Sequence, residues 1–117
     1  RWMRRIRLMV IGPPPYLSAV VRQAWNRAEI DLEGPYNSRD FASKLVEASF
    51  DGAIIDVEYD APTLLQVVEV LDAFGVPAIF AGNARAAPGG GYALSTDLEA
   101  MNAIVRSLLG SEASTLQ

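Results

Sequence analysis

The chain has no cysteine, no histidine and a single lysine, Lys44, among its 117 residues. Zinc sites draw on imidazole or thiolate ligands in nearly every case, so structural zinc is excluded. A serine or cysteine nucleophile paired with a histidine base cannot be assembled. A phosphate-cradling loop ending in Gly-Lys-Ser/Thr is missing too. Gly89-Gly90-Gly91 has no phosphate-binding pattern around it and reads as a flexible turn. No apolar run reaches the roughly 18 residues of a membrane span. The apolar run after the basic start breaks at Gly12-Pro13, too early for a signal peptide. Without cysteine the redox compartment leaves no mark, and the cytoplasm is the default location.

What is present is globular. Half the residues are apolar and 21% are charged, and the length suits one core. The net charge of −4 argues against nucleic acid as a partner. The start, Arg1-Trp2-Met3-Arg4-Arg5-Ile6-Arg7, reads as a solvated approach to the first strand rather than a phosphate- or lipid-binding arm. Residues 1–110 are expected to form one domain, and 111–117 a frayed polar tail.

Along the chain the periodicity alternates. Ile6 to Ile11 is strand-like and stops at Gly12-Pro13-Pro14-Pro15, whose prolines donate no backbone hydrogen bonds. Leu17, Val20, Val21, Ala24 and Ala28 repeat at helical spacing. Ile30 to Gly34 is a short, polar strand expected near a sheet edge. Ser38 is the expected cap of a helix whose apolar face is Phe41, Ala42, Leu45, Val46 and Ala48. Asp60-Ala61-Pro62 opens a third helix carrying Leu64, Val67, Val68, Leu71 and Phe74, ended by Gly75. Val76 to Ala81 is a buried strand with proline near its start, and Tyr92-Ala93-Leu94 a brief one. Thr96 or Asp97 caps a last helix with core face Leu98, Met101, Ile104, Val105, Leu108 and Leu109.

The most informative stretch is Phe50 to Asp60. Ala53-Ile54-Ile55 is an unbroken, β-branched apolar run, as expected of a strand buried on both faces of a parallel sheet. It leads directly into Asp56, and open α/β sheets place their chemistry at such strand ends. Strands alternating with helices through short connections give β-α-β-α-β-α-β-loop-β-α. The expected fold is α/β and flavodoxin-like, a doubly wound five-stranded parallel sheet of order 2-1-3-4-5. Its fourth helix is shortened or lost. Only nine residues, Asn83 to Gly91, link the last two strands, and Pro88 with three glycines allows no more than about one helical turn.

From Arg5 to Leu109 the pattern resembles the receiver domain of two-component response regulators. Phe50-Asp51-Gly52-Ala53-Ile54-Ile55-Asp56-Val57 looks like the family's third strand with its phosphoacceptor, and Gly75-Val76-Pro77-Ala78-Ile79-Phe80-Ala81-Gly82 like its fourth. Leu32-Glu33-Gly34-Pro35 is similar to the second strand of one subgroup, and Asp97-Leu98-Glu99-Ala100-Met101 to the start of the last helix. The resemblance implies a phosphorelay role with Asp56 as candidate acceptor.

The departures point elsewhere. Where the family has an acidic pair holding Mg²⁺, this chain has Gly12 and Pro13; where it has a hydroxyl ending the fourth strand, Gly82; where it has a lysine ending the fifth, a position near Leu94, followed by Ser95 in place of proline. Lys44 sits in the second helix and cannot substitute. Phosphoryl transfer to a carboxylate brings a dianion against an anion, and Mg²⁺ plus a cationic side chain offset that repulsion. Asp56 with Glu58 nearby is a weak Mg²⁺ site at best, because Mg²⁺ wants octahedral oxygen ligands. Arg85 is a candidate replacement cation, though a solvated loop arginine is the simpler reading. Tyr92 lies near the family's switch aromatic but out of register, and reads as a core or rim tyrosine.

The expectation is a degenerate receiver: a non-enzymatic signalling module with no metal and no cofactor. Its partner would be a protein: a histidine kinase, a downstream signalling protein, or a second copy of itself. The alternative is a receiver phosphorylated at Asp56 by atypical means; a third reading is a small ligand-binding domain using the strand-end crevice. A homodimer is expected through the third helix (Leu64, Leu65, Val67, Val68, Val70, Leu71) or the last helix, with Met101, Val105 and Leu108 partly available.

Overall fold

A computed structural model describes residues 4–83 and 90–110. The elements are β1 (Ile6–Ile11), a 3-10 turn (Pro14–Tyr16), α1 (Ala19–Arg27), β2 (Ile30–Tyr36), α2 (Phe41–Glu47), β3 (Gly52–Asp56), α3 (Ala61–Ala73), β4 (Ala78–Asn83), β5 (Tyr92–Leu94) and α4 (Leu98–Leu109). The five strands form one all-parallel sheet in the order β2-β1-β3-β4-β5, the flavodoxin-like order expected of the sequence.

Period-two alternation along the strands divides the core into two layers. Leu8, Val10, Ile54 and Ala81 face α1 and α4, where they meet Trp25, Met101, Ile104 and Leu108. Met9, Ile11, Ala53 and Ile55 face α2 and α3, where they meet Phe41, Leu45, Val67 and Leu71. Both faces of the central strands are thereby dry, which is why Ala53-Ile54-Ile55 carries no polar residue. Asp60 caps α3 by accepting from the Thr63 N–H at 3.0 Å, and Asp97 caps α4 by accepting from the Glu99 N–H at 3.3 Å.

Several expectations are corrected. The residue before α2 is Asp40, not Ser38; Asn37 organises that turn, its Oδ1 accepting from the N–H groups of Arg39 and Asp40. An asparagine side chain mimics a backbone turn in this way. β2 runs past Gly34 to Tyr36, with its register shifted opposite Val10. Gly34 has φ of +126°, and a Cβ there would sit 2.5 Å from the Val10 carbonyl oxygen, so only glycine fits. β4 begins at Ala78 and extends to Asn83, because Pro77 can offer the sheet only its carbonyl, which accepts from Ala53. Val20, Val46 and Leu98 point outward. Trp25 instead fills the α1 layer, fully buried, with its Nε1–H donating to the Ser95 carbonyl at 2.9 Å. Met101, Val105 and Leu108 are all buried in the α4 layer, so they are not available for a dimer contact. The link at 84–89 and the tail at 111–117 lie outside the described residues.

The basic start is neutralised where it is described. Arg4 pairs with Asp51 through both carboxylate oxygens, Arg5 with Asp31 and Glu29, and Arg7 with Glu33. These pairs tie the N-terminal end of β1 to its neighbouring strands.

Candidate functional site

Asp56 is the last residue of β3, paired in register with Ala81 of β4. It is the one buried charged residue among those described, at 6% exposure. Its Oδ1 accepts from the Glu58 N–H at 2.9 Å, and its carbonyl accepts from the Tyr59 N–H at 3.3 Å. The strand thus ends in a turn closed by the Asp56 side chain, a local role short carboxylates often fill.

An aromatic ring lies close to that carboxylate, hydrogen-bonded to the carbonyl of its register partner. After Gly12 the prolines turn the chain back on itself, and Tyr16 folds over the carboxyl ends of the strands at 2% exposure. Its hydroxyl donates to the Ala81 carbonyl at 2.7 Å. The same carbonyl accepts from the Val57 N–H at 3.3 Å. The ring lies directly against Gly12: a Cβ there would meet Cδ2, Cγ and Cβ of Tyr16 at 2.7–2.9 Å. Burial, and secondarily the negative charge of Asp56, push the Tyr16 phenol well above the ordinary tyrosine range. The phenol is therefore a fixed neutral donor. Tyr59 sits on the other side of the same carboxylate. Burial raises its pKa first, hydrogen bonding with Ser38 opposes this, and Asp56 adds a smaller upward push.

The other positions named from the sequence lie as follows. Gly12 is buried under Tyr16, and Pro13 is exposed at the mouth of the loop. Glu58 is exposed, and its backbone N–H donates to the Asp56 carboxylate. Gly82 is buried one residue beyond the partner of Asp56, and Leu94 is fully buried as a core residue ending β5. Lys44 pairs with Glu47 at 3.7 Å and lies over the Tyr36 ring at 5.7 Å. Tyr92 is half-buried against the α1 and α4 layer. Arg85 lies outside the described residues.

These residues do not fit Mg²⁺. The two positions that follow β1, Gly12 and Pro13, present a hydrogen and a proline ring rather than oxygen ligands, and the neighbouring Asp60 is committed to capping α3. Among the described residues no three of His, Cys, Asp and Glu converge on a point. A separate open groove of about 330 Å³ runs between α1 and the edge strand β2, lined by Arg22, Gln23, Asn26, Asp31, Leu32 and Glu33. Arg22 reaches across it, donating to the carbonyls of Leu32 and Gly34.

Sequence reasoning missed Tyr16 and Arg22. The signal for Tyr16 was the glycine four residues upstream, the one position where a ring can lie flat on the backbone. Nothing local marks Arg22. No family model matches the chain, and neither a curated protein nor a solved structure matches it.

Proposed function

We propose that this chain is a receiver-like domain that acts as a protein-interaction module in signalling, without Mg²⁺-dependent phosphorylation, as part of a cytoplasmic pathway. It performs no catalysis; its partners are a histidine kinase or a downstream signalling protein. The observation that carries this reading is the Tyr16 ring seated beside Asp56, with its hydroxyl on the Ala81 carbonyl. A phosphoryl group on Asp56 needs room for three oxygens, and a cation and a hydroxyl to bind them. At this strand end a buried ring packs on Gly12 near the carboxylate, the acidic pair is Gly12 and Pro13, and the hydroxyl position is Gly82. Output then runs through a surface that is always presented, not one switched by a modified carboxylate.

The test is direct. Acetyl phosphate with Mg²⁺ is expected to give no mass gain on the intact protein, and beryllofluoride with Mg²⁺ no amide shifts at Asp56, Gly82 and Leu94. A stoichiometric mass gain abolished by Asp56→Ala would establish the phosphorylated-receiver alternative instead.

A further inference from the structure

We infer that the sheet face over β4 and β5, beside α3, is the docking surface for a basic amphipathic helix of a partner protein. The inference rests on the reading of the domain as an interaction module and names where the contact is made and what chemistry makes it.

A parallel sheet is normally covered by helices on both faces. Here one face carries α1 and α4. The opposite face carries α2 and α3, with α3 connecting β3 to β4, and no described helix follows between β4 and β5. The consequence is visible in β4. Ile79 and Ala81, facing the α1 and α4 layer, are at most 9% exposed, whereas Phe80 between them is 40% exposed on the other face. Ala93 of β5, partly buried, continues the same face beside Gly82, which is itself buried.

α3 forms the wall of this shelf. It runs antiparallel to the strands in a right-handed crossover. With Val67 and Leu71 turned to the sheet, helical geometry aims positions 61, 65, 68 and 72 toward β5. Leu65 in that row is 62% exposed, and Val68 is only partly buried. Leu65, Val68, Phe80 and Ala93 thus outline a trough bounded by helix on one side and sheet beneath. A helix, about 10 Å across, is the element that fits one layer of such an architecture.

The rim determines the partner's charge. From Leu45 to Ala84 the chain has no lysine or arginine. Glu69 and Asp72, exposed on α3, have no ion pair among the described residues, whereas every ion pair described lies on the β1–β2–α2 side and its Asp51 edge; Arg85 lies outside the described residues. An apolar trough with an acidic rim repels nucleic acid and anionic lipid. A second copy docked by a two-fold would oppose one acidic rim to another. The complementary occupant is a helix with an apolar stripe flanked by lysine or arginine.

The experiment titrates the labelled protein with a Leu/Lys model amphipathic helix of about five turns, and in parallel with its Leu/Glu counterpart. Amide shifts from the Leu/Lys helix are expected to cluster at Leu65, Val68, Phe80 and Ala93. Phe80→Ser and, separately, Leu65→Ser should each weaken binding about tenfold. Asp72→Lys should weaken it and flatten its salt dependence. All three positions are exposed or at a helix surface, and unchanged Trp25 emission confirms folding. Shifts centred elsewhere, equal binding of the Leu/Glu helix, or self-association through Phe80 would each overturn the inference. Acetyl phosphate labelling on the same samples separates the two readings. Label on Asp56 with peptide bound at Phe80 defeats the phosphorylation-independent reading alone; no label and no peptide binding defeats this inference alone.

Discussion

The Tyr16 ring requires glycine at position 12: a Cβ there would fall 2.7 Å from Cδ2 of the ring, which is buried with its hydroxyl on the Ala81 carbonyl. A glycine where a receiver would carry a carboxylate is therefore more than a missing ligand. It is the floor on which another side chain rests.

Gly12→Ala should destabilise the fold by about 1–3 kcal/mol, because the ring cannot retreat without losing its hydrogen bond and the neighbouring strand packing. Tyr16→Phe should cost less, about 0.5–1.5 kcal/mol, since the Ala81 carbonyl keeps the Val57 N–H. Urea unfolding followed by Trp25 fluorescence ranks the two. A Gly12→Ala protein as stable as the parent would mean the ring is not held where it is described.

The raised pKa of Tyr16 predicts an alkaline limit. Its folded value lies above the unfolded value of about 10. The stability it contributes is therefore fully present below that pH and lost above it, at up to about 1.4 kcal/mol per pH unit for one proton released on unfolding. Tyr59, shifted the same way, adds to the effect. Urea midpoints measured with rising pH should fall less steeply in Tyr16→Phe than in the parent.

An acid limb follows from Asp51. Its carboxylate is held below the usual range first by the Arg4 guanidinium, and further by the Arg7 N–H, against an opposing contribution from burial. A depressed carboxylate stabilises above its unfolded value of about 3.9, and the contribution disappears as pH falls through the lower folded value. Arg4→Ala should shift the acid unfolding midpoint upward in pH. An unmoved midpoint would show that the Arg7 N–H alone sets the Asp51 carboxylate.

Arg22 guards the open edge of the sheet. Ile6 N–H donates to the Glu29 carbonyl, so in this parallel pair the carbonyls of Leu32 and Gly34 face outward, and both accept from Arg22. Unpaired edge groups template pairing with other chains. Arg22→Ala should lose about 1 kcal/mol and self-associate at concentrations where the parent does not. Sedimentation of the two proteins side by side is the check; identical distributions would remove the guarding role.

Much of this protein was legible in the sequence. Short apolar runs bounded by turn residues, and period-3.6 patterns between them, placed all five strands and four helices, because burial on a regular element leaves a pattern that the chain displays locally. Asp60, and Asp97 as one of two candidates with Thr96, were readable as caps because a cap bonds to backbone two or three residues away. Asp56 was readable as a strand-end carboxylate for the same reason. Tertiary structure alone decided what surrounds it. Tyr16 reaches a carbonyl 65 positions away, Trp25 one 70 positions away, and Arg22 caps an edge created only when β2 pairs with β1. The burial of Val105 and the exposure of Phe80 depend likewise on which helices cover which face. Local periodicity reports that a face is apolar; only the packed layers determine whether another element lies upon it.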